Sequence, residues 1–298
     1  IKNIFKKFSN NPKIFNSIIG VNMNIKVVLL FIIINIFLFA QYTANNDILI
    51  NTGAGRVDYT TYTIYADATA DMITDKALQP EAFLILQQQA EEETIKTLYD
   101  TLARVSINSD YTIYNLMESD KILMEKIMDS LNNTRLIGVS YPTRTSVRVL
   151  MALDIITNNL ISDFINSVDA YKTEPIVTYF DAGEDYDSLV VDARNIGFNP
   201  SLFPTIYDED GNAIYDIAYI NKKSAATNGY ITYSTNSYLT NENIKNAIGK
   251  KPYNVVAWRT RGRLSSDLVI GNEDASIIMS GVKLKTALKN CKVVFIID

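Results

Sequence analysis

Pro80 opens the longest periodic segment in the chain, and that segment dictates the kind of fold around it. Proline is at home in the first turn of a helix, where its missing N–H is not needed, and Glu81 suits the positive end of the helix dipole. Ile95, Leu98, Leu102 and Val105 then recur at helical spacing as one apolar stripe, while Gln87, Gln88, Glu92 and Lys96 fall on the other side. A helix of about 25 residues is roughly 37 Å long at about 1.5 Å per residue. A stripe of that length needs a whole sheet to lie across. Runs rich in Ile, Val, Thr and Tyr supply the strands, at Asp47–Thr52 (DILINT), Asp58–Asp67 (DYTTYTIYAD), Val105–Ile113 and Arg144–Ile156. Helices and strands in separate blocks predict an α+β chain: a long helix packed on a mainly antiparallel sheet, with a second α+β part at the C-terminus.

Further helices are expected over Ser119–Leu131, where Ile122, Met124, Ile127, Met128 and Leu131 are apolar and the methionines read as core filler, and over Asn158–Val168. The second half reads as a strand from Leu189, a loop between Pro200 and Pro204, and a hairpin, Thr205–Tyr207 and Ala213–Tyr215 around the turn Asp208–Asn212. Pro252–Arg261 and Leu264–Ile270 read as strands, with Trp258 as a large buried contact. One helix is expected from Asn272, as N-cap, through Cys291, and the almost wholly apolar close, Lys292–Asp298, predicts an interior strand. Asp169–Pro175 reads as a linker, which divides the chain into residues 1–40, an N-terminal part 41–173 and a C-terminal part 174–298.

Residues 1–40 contain five Lys and no acidic residue. Met23 opens a shorter pattern there: Lys26, then an apolar run from Val27 to Ala40 broken by Asn35. That matches a secretory signal cut near Ala40, with residues 1–22 upstream of it, and the run is short for a membrane span. Contact with a membrane is expected only through the uncleaved leader. The sole cysteine, Cys291, is far from the leader, so the signal site cannot be lipidated and no internal disulfide can form. Removing the five leader lysines leaves 23 basic against 33 acidic residues, a net −10 that disfavours nucleic acid as partner.

The chain has no histidine. Ser-His-Asp and Cys-His nucleophile systems and imidazole zinc sites are thereby removed, along with the residue most used for proton transfer near neutrality. Gly53 and Gly55 lack the third glycine and helix of a dinucleotide site. Counted from Asp208, Gly211 falls at position four of a calcium loop and Tyr219 at twelve, where glycine at six and glutamate at twelve are needed. Ser280 and Lys283 match S-x-x-K without its companion motifs. Glu91, Glu92 and Glu93 read as a solvated helix face. No catalytic residue, metal site or cofactor is therefore expected. The remaining candidates are interaction residues: Asp192 and Arg194, two apart on one strand face, where the guanidinium either pairs with Asp192 or grips an anion, and Asn272 and Glu273 at a helix start.

The run V-D-A-R-x-I-G-F-x-P-x-x-x-P-x-I-x-D-E-D-G-N-x-I-Y, Val191–Tyr215, resembles the twenty-kilodalton lipoprotein (LPP) family of bacterial envelopes, whose relatives include the flagellar H-ring component FlgT. The N-E-D-A at Asn272–Ala275, the closing C-K-V-V-F-I-I-D, and the long helix with Ala90 and Ala103 fit the same pattern, although the lipidated cysteine of many members is missing. The resemblance implies an extracytoplasmic, non-enzymatic structural or interaction protein, periplasmic or secreted. Its expected partners are other envelope or flagellar proteins and further copies of itself. The alternative it leaves open is a periplasmic binding module that holds an anionic envelope component through Arg194.

Overall fold

The computed structural model describes residues 49–52, 55–72, 80–168, 185–235 and 242–298. Every described element belongs to one compact unit, 47–298. The signal segment with its cut near Ala40, Gly53, the linker Asp169–Pro175 and the boundary at Thr173 all lie outside the described residues.

The architecture is α+β. Strands β1 (Leu49–Asn51), β2 (Arg56–Asp58), β3 (Thr63–Asp71), β4 (Arg135–Ser140) and β5 (Ser146–Asp154) form an antiparallel sheet in the order β1-β2-β3-β5-β4. Helix α1 (Pro80–Ala103) lies on β3 and β5. It buries Leu86, Ala90, Thr94, Leu98 and Leu102, whereas Ile95 from the expected stripe is only half-buried. The small residues Ala90 and Thr94 bring helix and sheet close: the Thr94 hydroxyl donates to the Ala90 carbonyl at 2.6 Å and lies 3.3 Å from the Val149 carbonyl.

Of the expected strands, Asp58–Asp67 survives only from Thr63, within β3, and Val105–Ile113 is lost, each for a local reason. Asp58 accepts hydrogen bonds from the backbone N–H groups of Thr60 (2.9 Å) and Thr61 (3.2 Å), and this turn stops the run that composition marks as continuous from Asp58 to Asp67. Over 105–112, Asn108 holds the N–H groups of Asp110 and Tyr111 at 2.9 and 3.0 Å, leaving a single bridge between Ser106 and Thr112. Helix α2 (Ile113–Ser119) follows, which periodicity missed, and then α3 (Lys121–Leu131), capped by Asp120. On α3, Ile122, Met124 and Met128 are exposed; Leu123 and Ile127 take the core positions. Helix α4 (Leu160–Val168) is buried along Leu160, Ile161, Phe164 and Ile165 as expected.

From residue 188 onward two further sheets form. Strands β6 (Ser188–Asp192), β9 (Thr232–Ser234), β10 (Pro252–Val256) and β13 (Val293–Ile296) make an all-parallel sheet, order β10-β6-β13-β9. Of its two interior strands, β6 and β13, the latter is the closing apolar segment. Strands β7 (Ile206–Tyr207), β8 (Ala213–Tyr215), β11 (Arg259–Arg261) and β12 (Asp267–Val269) make a mixed sheet, order β11-β12-β7-β8. The helices are α5 (Lys222–Asn228), α6 (Glu242–Ile248), α7 (Asn272–Ser280) and α8 (Val282–Lys289). The single helix expected from Asn272 to Cys291 is thus broken at Gly281, which closes α7 and opens α8 with extended backbone. Among the described residues no helix is long and apolar enough to cross a membrane.

One buried apolar cluster runs through residues on both sides of Thr173. Tyr62 joins them directly: its hydroxyl donates to the Ile231 carbonyl at 2.6 Å and accepts from the Ile231 N–H at 3.0 Å. The loop after α1 adds three backbone bonds, Leu202 N–H to Ser106 O, Phe203 N–H to Ile107 O and Leu264 N–H to Ser109 O, at 2.7 to 2.9 Å.

Candidate interaction surface

The candidate residues gather around the mixed sheet and the end of β6. Asp192 ends β6 and Arg194 lies beyond it, so the two do not share a strand face as the spacing predicts. Ala193 still pairs with Ile296, after which Asn195 turns the chain at φ +62°. The Asp192 carboxylate accepts the Arg194 backbone N–H at 3.1 Å and its Nε at 2.9 Å, with Nη2 at 2.5 Å from the other oxygen. The Arg194 fork holds the Asp192 carboxyl below the usual carboxylate range. This is a closed, bidentate pair at the surface rather than in the core.

Asn272 and Glu273 lie at the start of α7. Gly271 takes the N-cap position, and Asn272 is the first helical residue instead of the cap. Its side chain turns to the β7–β8 hairpin: Oδ1 accepts from the Glu209 N–H at 3.1 Å and Nδ2 donates to Asp210 at 3.1 Å. Glu209 returns the bond by accepting from the Asn272 N–H at 2.9 Å, which places its charge on the helix N-terminus. Glu273 is exposed. The hairpin itself is built as its sequence indicates. Asp208 accepts from the Asn212 backbone and side chain, both at 2.7 Å, and Gly211 takes the left-handed turn position at φ +89°. The register of β7 on β8 shifts separately, between Ile206 and Tyr207. Between hairpin and α7 lies a cleft of about 240 Å³ whose lining includes Asp210, Asn272, Ser276 and Met279. Ser280 and Lys283 are not joined in a nucleophile site: the Ser280 hydroxyl donates to Ile277 O at 3.0 Å and Lys283 is exposed on α8.

The feature that the strand pattern missed is at the other edge of this sheet. Trp258, expected in the core, is 59% exposed, between the end of β10 and the start of β11, with its ring against Gly271. The next positions carry Arg259, Arg261 and Arg263, all exposed. The Arg261 guanidinium carbon lies 4.0 Å from the centre of the Tyr207 ring, and Arg263 donates to the Asp110 carbonyl at 2.8 Å. Beneath them Ser109 is wedged into the mouth of the β11–β12 hairpin. Its hydroxyl donates to Arg261 O at 2.5 Å and accepts the N–H groups of Asp267 at 2.8 Å and Ser266 at 3.1 Å. Only glycine fits opposite: a Cβ on Gly262 would sit 2.0 Å from the Ser109 Cβ, at φ +83°. Asp267 is buried beside this wedge and accepts the Thr205 N–H at 2.9 Å; burial pushes its carboxyl up to about 7. Its signal in the sequence is a lone acid inside the expected strand Leu264–Ile270.

The span that begins at β6 has a counterpart in a known protein. Residues 188–298 are similar to the second domain of Treponema pallidum Tp0624. This span holds both C-terminal sheets, α5 to α8 and every candidate residue above except those of the Ser109 loop. The Val191–Tyr215 run lies within it. No curated protein matches the chain.

Proposed function

We propose that this chain is a non-enzymatic structural or interaction protein of the bacterial cell envelope, secreted or periplasmic, and that it works as part of an envelope or flagellar assembly. One observation carries the reading. The conspicuous polar residues of the C-terminal half bond to one another and finish a surface: Asp192 with Arg194, Asp208 with Asn212, and Glu209 and Asp210 with Asn272. Groups fixed in this way present shape and charge, which is what recognition requires, whereas acid–base work needs side chains converging on a reacting atom. The basic, apolar leader pattern, the missing histidine and the resemblance of Val191–Tyr215 support the same reading. The Tp0624 similarity supports a bacterial domain of this architecture as the unit that carries the surface.

The alternative, an anion-binding module centred on Arg194, has less support, because an incoming carboxylate or phosphate must first displace Asp192 from a bidentate bond. The test is crosslinking in intact cells, followed by fractionation and mass spectrometry of what is joined to the chain. Envelope or flagellar components in the adducts are the expected result. A soluble cytoplasmic monomer without envelope adducts overturns the proposal.

A further inference from the structure

Charge is unevenly spread in this acidic chain. Residues 249–266 carry five basic side chains and no acidic one, while the rest hold 23 basic against 33 acidic. Three of the five are Arg259, Arg261 and Arg263, and none has a carboxylate partner among the described residues. Strand β11 ends the mixed sheet, so Arg259 and Arg261 stand on an edge, on the same face, about 7 Å apart by strand geometry. Charges on an edge strand also deter unwanted sheet extension. Such a guard needs only solvated side chains. Arg261 instead rests over Tyr207, its guanidinium carbon 4.0 Å from the ring centroid, a contact that leaves N–H groups available for a bidentate bond. Immediately before the arginines in the chain, Trp258 is 59% and Val256 is 64% exposed. Exposed Trp and Arg with a supporting Tyr is the composition of interface hot spots, in which an apolar anchor is flanked by charge.

We propose that Val256, Trp258, Arg259 and Arg261 form a docking surface for an extended acidic polypeptide segment of a partner protein. Carboxylates at alternate positions of an extended chain are also about 7 Å apart and so meet Arg259 and Arg261 together. An apolar side chain in the same segment covers Trp258. This inference rests on the interaction-protein reading and gives it a site and a class of partner.

Trp258 is the sole tryptophan, so its fluorescence reports on this surface directly. The full-length chain is titrated with poly-L-glutamate at low and at high salt, beside the double variant Arg259→Ser/Arg261→Ser, whose fold is checked by circular dichroism. The expected result is a saturable change in Trp258 emission that salt weakens, with affinity lowered about tenfold or more in the variant. No emission change, or an unchanged response in the variant, overturns the proposal. Inorganic polyphosphate or dextran sulfate binding as tightly as poly-L-glutamate overturns the polypeptide assignment in favour of a general polyanion site. An emission change that follows the concentration of the chain alone overturns it in favour of a second copy. Failure here with envelope adducts still found in cells removes only this surface, whereas a cytoplasmic location removes the broader reading whatever the fluorescence shows.

Discussion

Replacing Asp267 by Asn should change how stability depends on pH, and the size of the effect follows from where Asp267 sits. The side chain is 6% exposed and accepts the Thr205 N–H. Desolvation is the main cause of its raised pKa; the Thr205 N–H and the Ser109 hydroxyl oppose it, Asp110 adds to it and the Arg261 charge reduces it. Tyr207 faces the same group from β7. A carboxyl moved from 3.8 to about 7 on folding keeps its proton in the folded chain when the unfolded chain has already lost it. The stabilisation is therefore fully present below pH 3.8 and is lost as pH rises through about 7. A shift of ~3 units at ~1.4 kcal/mol per unit gives a loss of about 4 kcal/mol across that window. Asn cannot ionise, and its carbonyl can still accept the Thr205 N–H. In urea unfolding at a series of pH values, the Asp267→Asn variant should lack a slope of about 1.4 kcal/mol per pH unit between about pH 5 and 6.5. By pH 8 it should be the more stable protein, by up to about 4 kcal/mol. Parallel pH profiles for the two proteins would refute the reasoning, because Asp267 would then hold its proton no more tightly folded than unfolded.

Four further outcomes follow from the same contacts. Gly262→Ala should cost about 3 kcal/mol or more in urea unfolding, from the clash with Ser109 and the left-handed backbone together. Ser109→Ala should cost about 2 to 4 kcal/mol, because it leaves two buried N–H groups and one carbonyl without their hydroxyl partner. Tyr62→Phe should cost about 1 to 3 kcal/mol in the same assay by freeing both backbone groups of Ile231. Asn272→Ala, at an exposed position, should cost only about 1 kcal/mol while raising amide hydrogen exchange over 208–212, since Glu209 and Asp210 lose their anchor.

Much of the fold was legible because burial and periodicity agree where a segment has a single role. The helix from Pro80, the buried strand β5, α4, the Asp208–Asn212 hairpin and the apolar strand β13 all follow from spacing or composition. The errors occur where a side chain competes with its own backbone. Asp58 and Asn108 convert β-rich sequence into turns by taking N–H groups that a ladder would use. On α3 the error has another cause. Ile122, Met124 and Met128 sit among core residues in sequence, but Leu123 and Ile127 already fill the face turned inward. A helix shows one face to the core, and hydrophobicity alone cannot mark which apolar residues are on it.

The candidate surface was harder to read because its meaning depends on pairs that sequence separates. Asp192 and Arg194 were visible as a pair, two residues apart, and they close on each other. Asn272 looks like a helix cap until the hairpin 62 and 63 residues away supplies Asp210 and Glu209. Trp258 reads as core on size alone, and only the course of the chain from β10 into β11 leaves it outside. The alternation W-R-T-R-G-R was nonetheless present in the sequence as a warning. An edge strand bearing arginines at every second position cannot bury the face they occupy, because unpaired guanidinium groups do not leave water. With Tyr207 beneath Arg261 and Ser109 locking the hairpin mouth, the Arg261 charge is held in place at the surface. Order of that kind lowers the entropic cost of meeting a partner, and it is the physical reason for placing recognition at this edge rather than at Arg194.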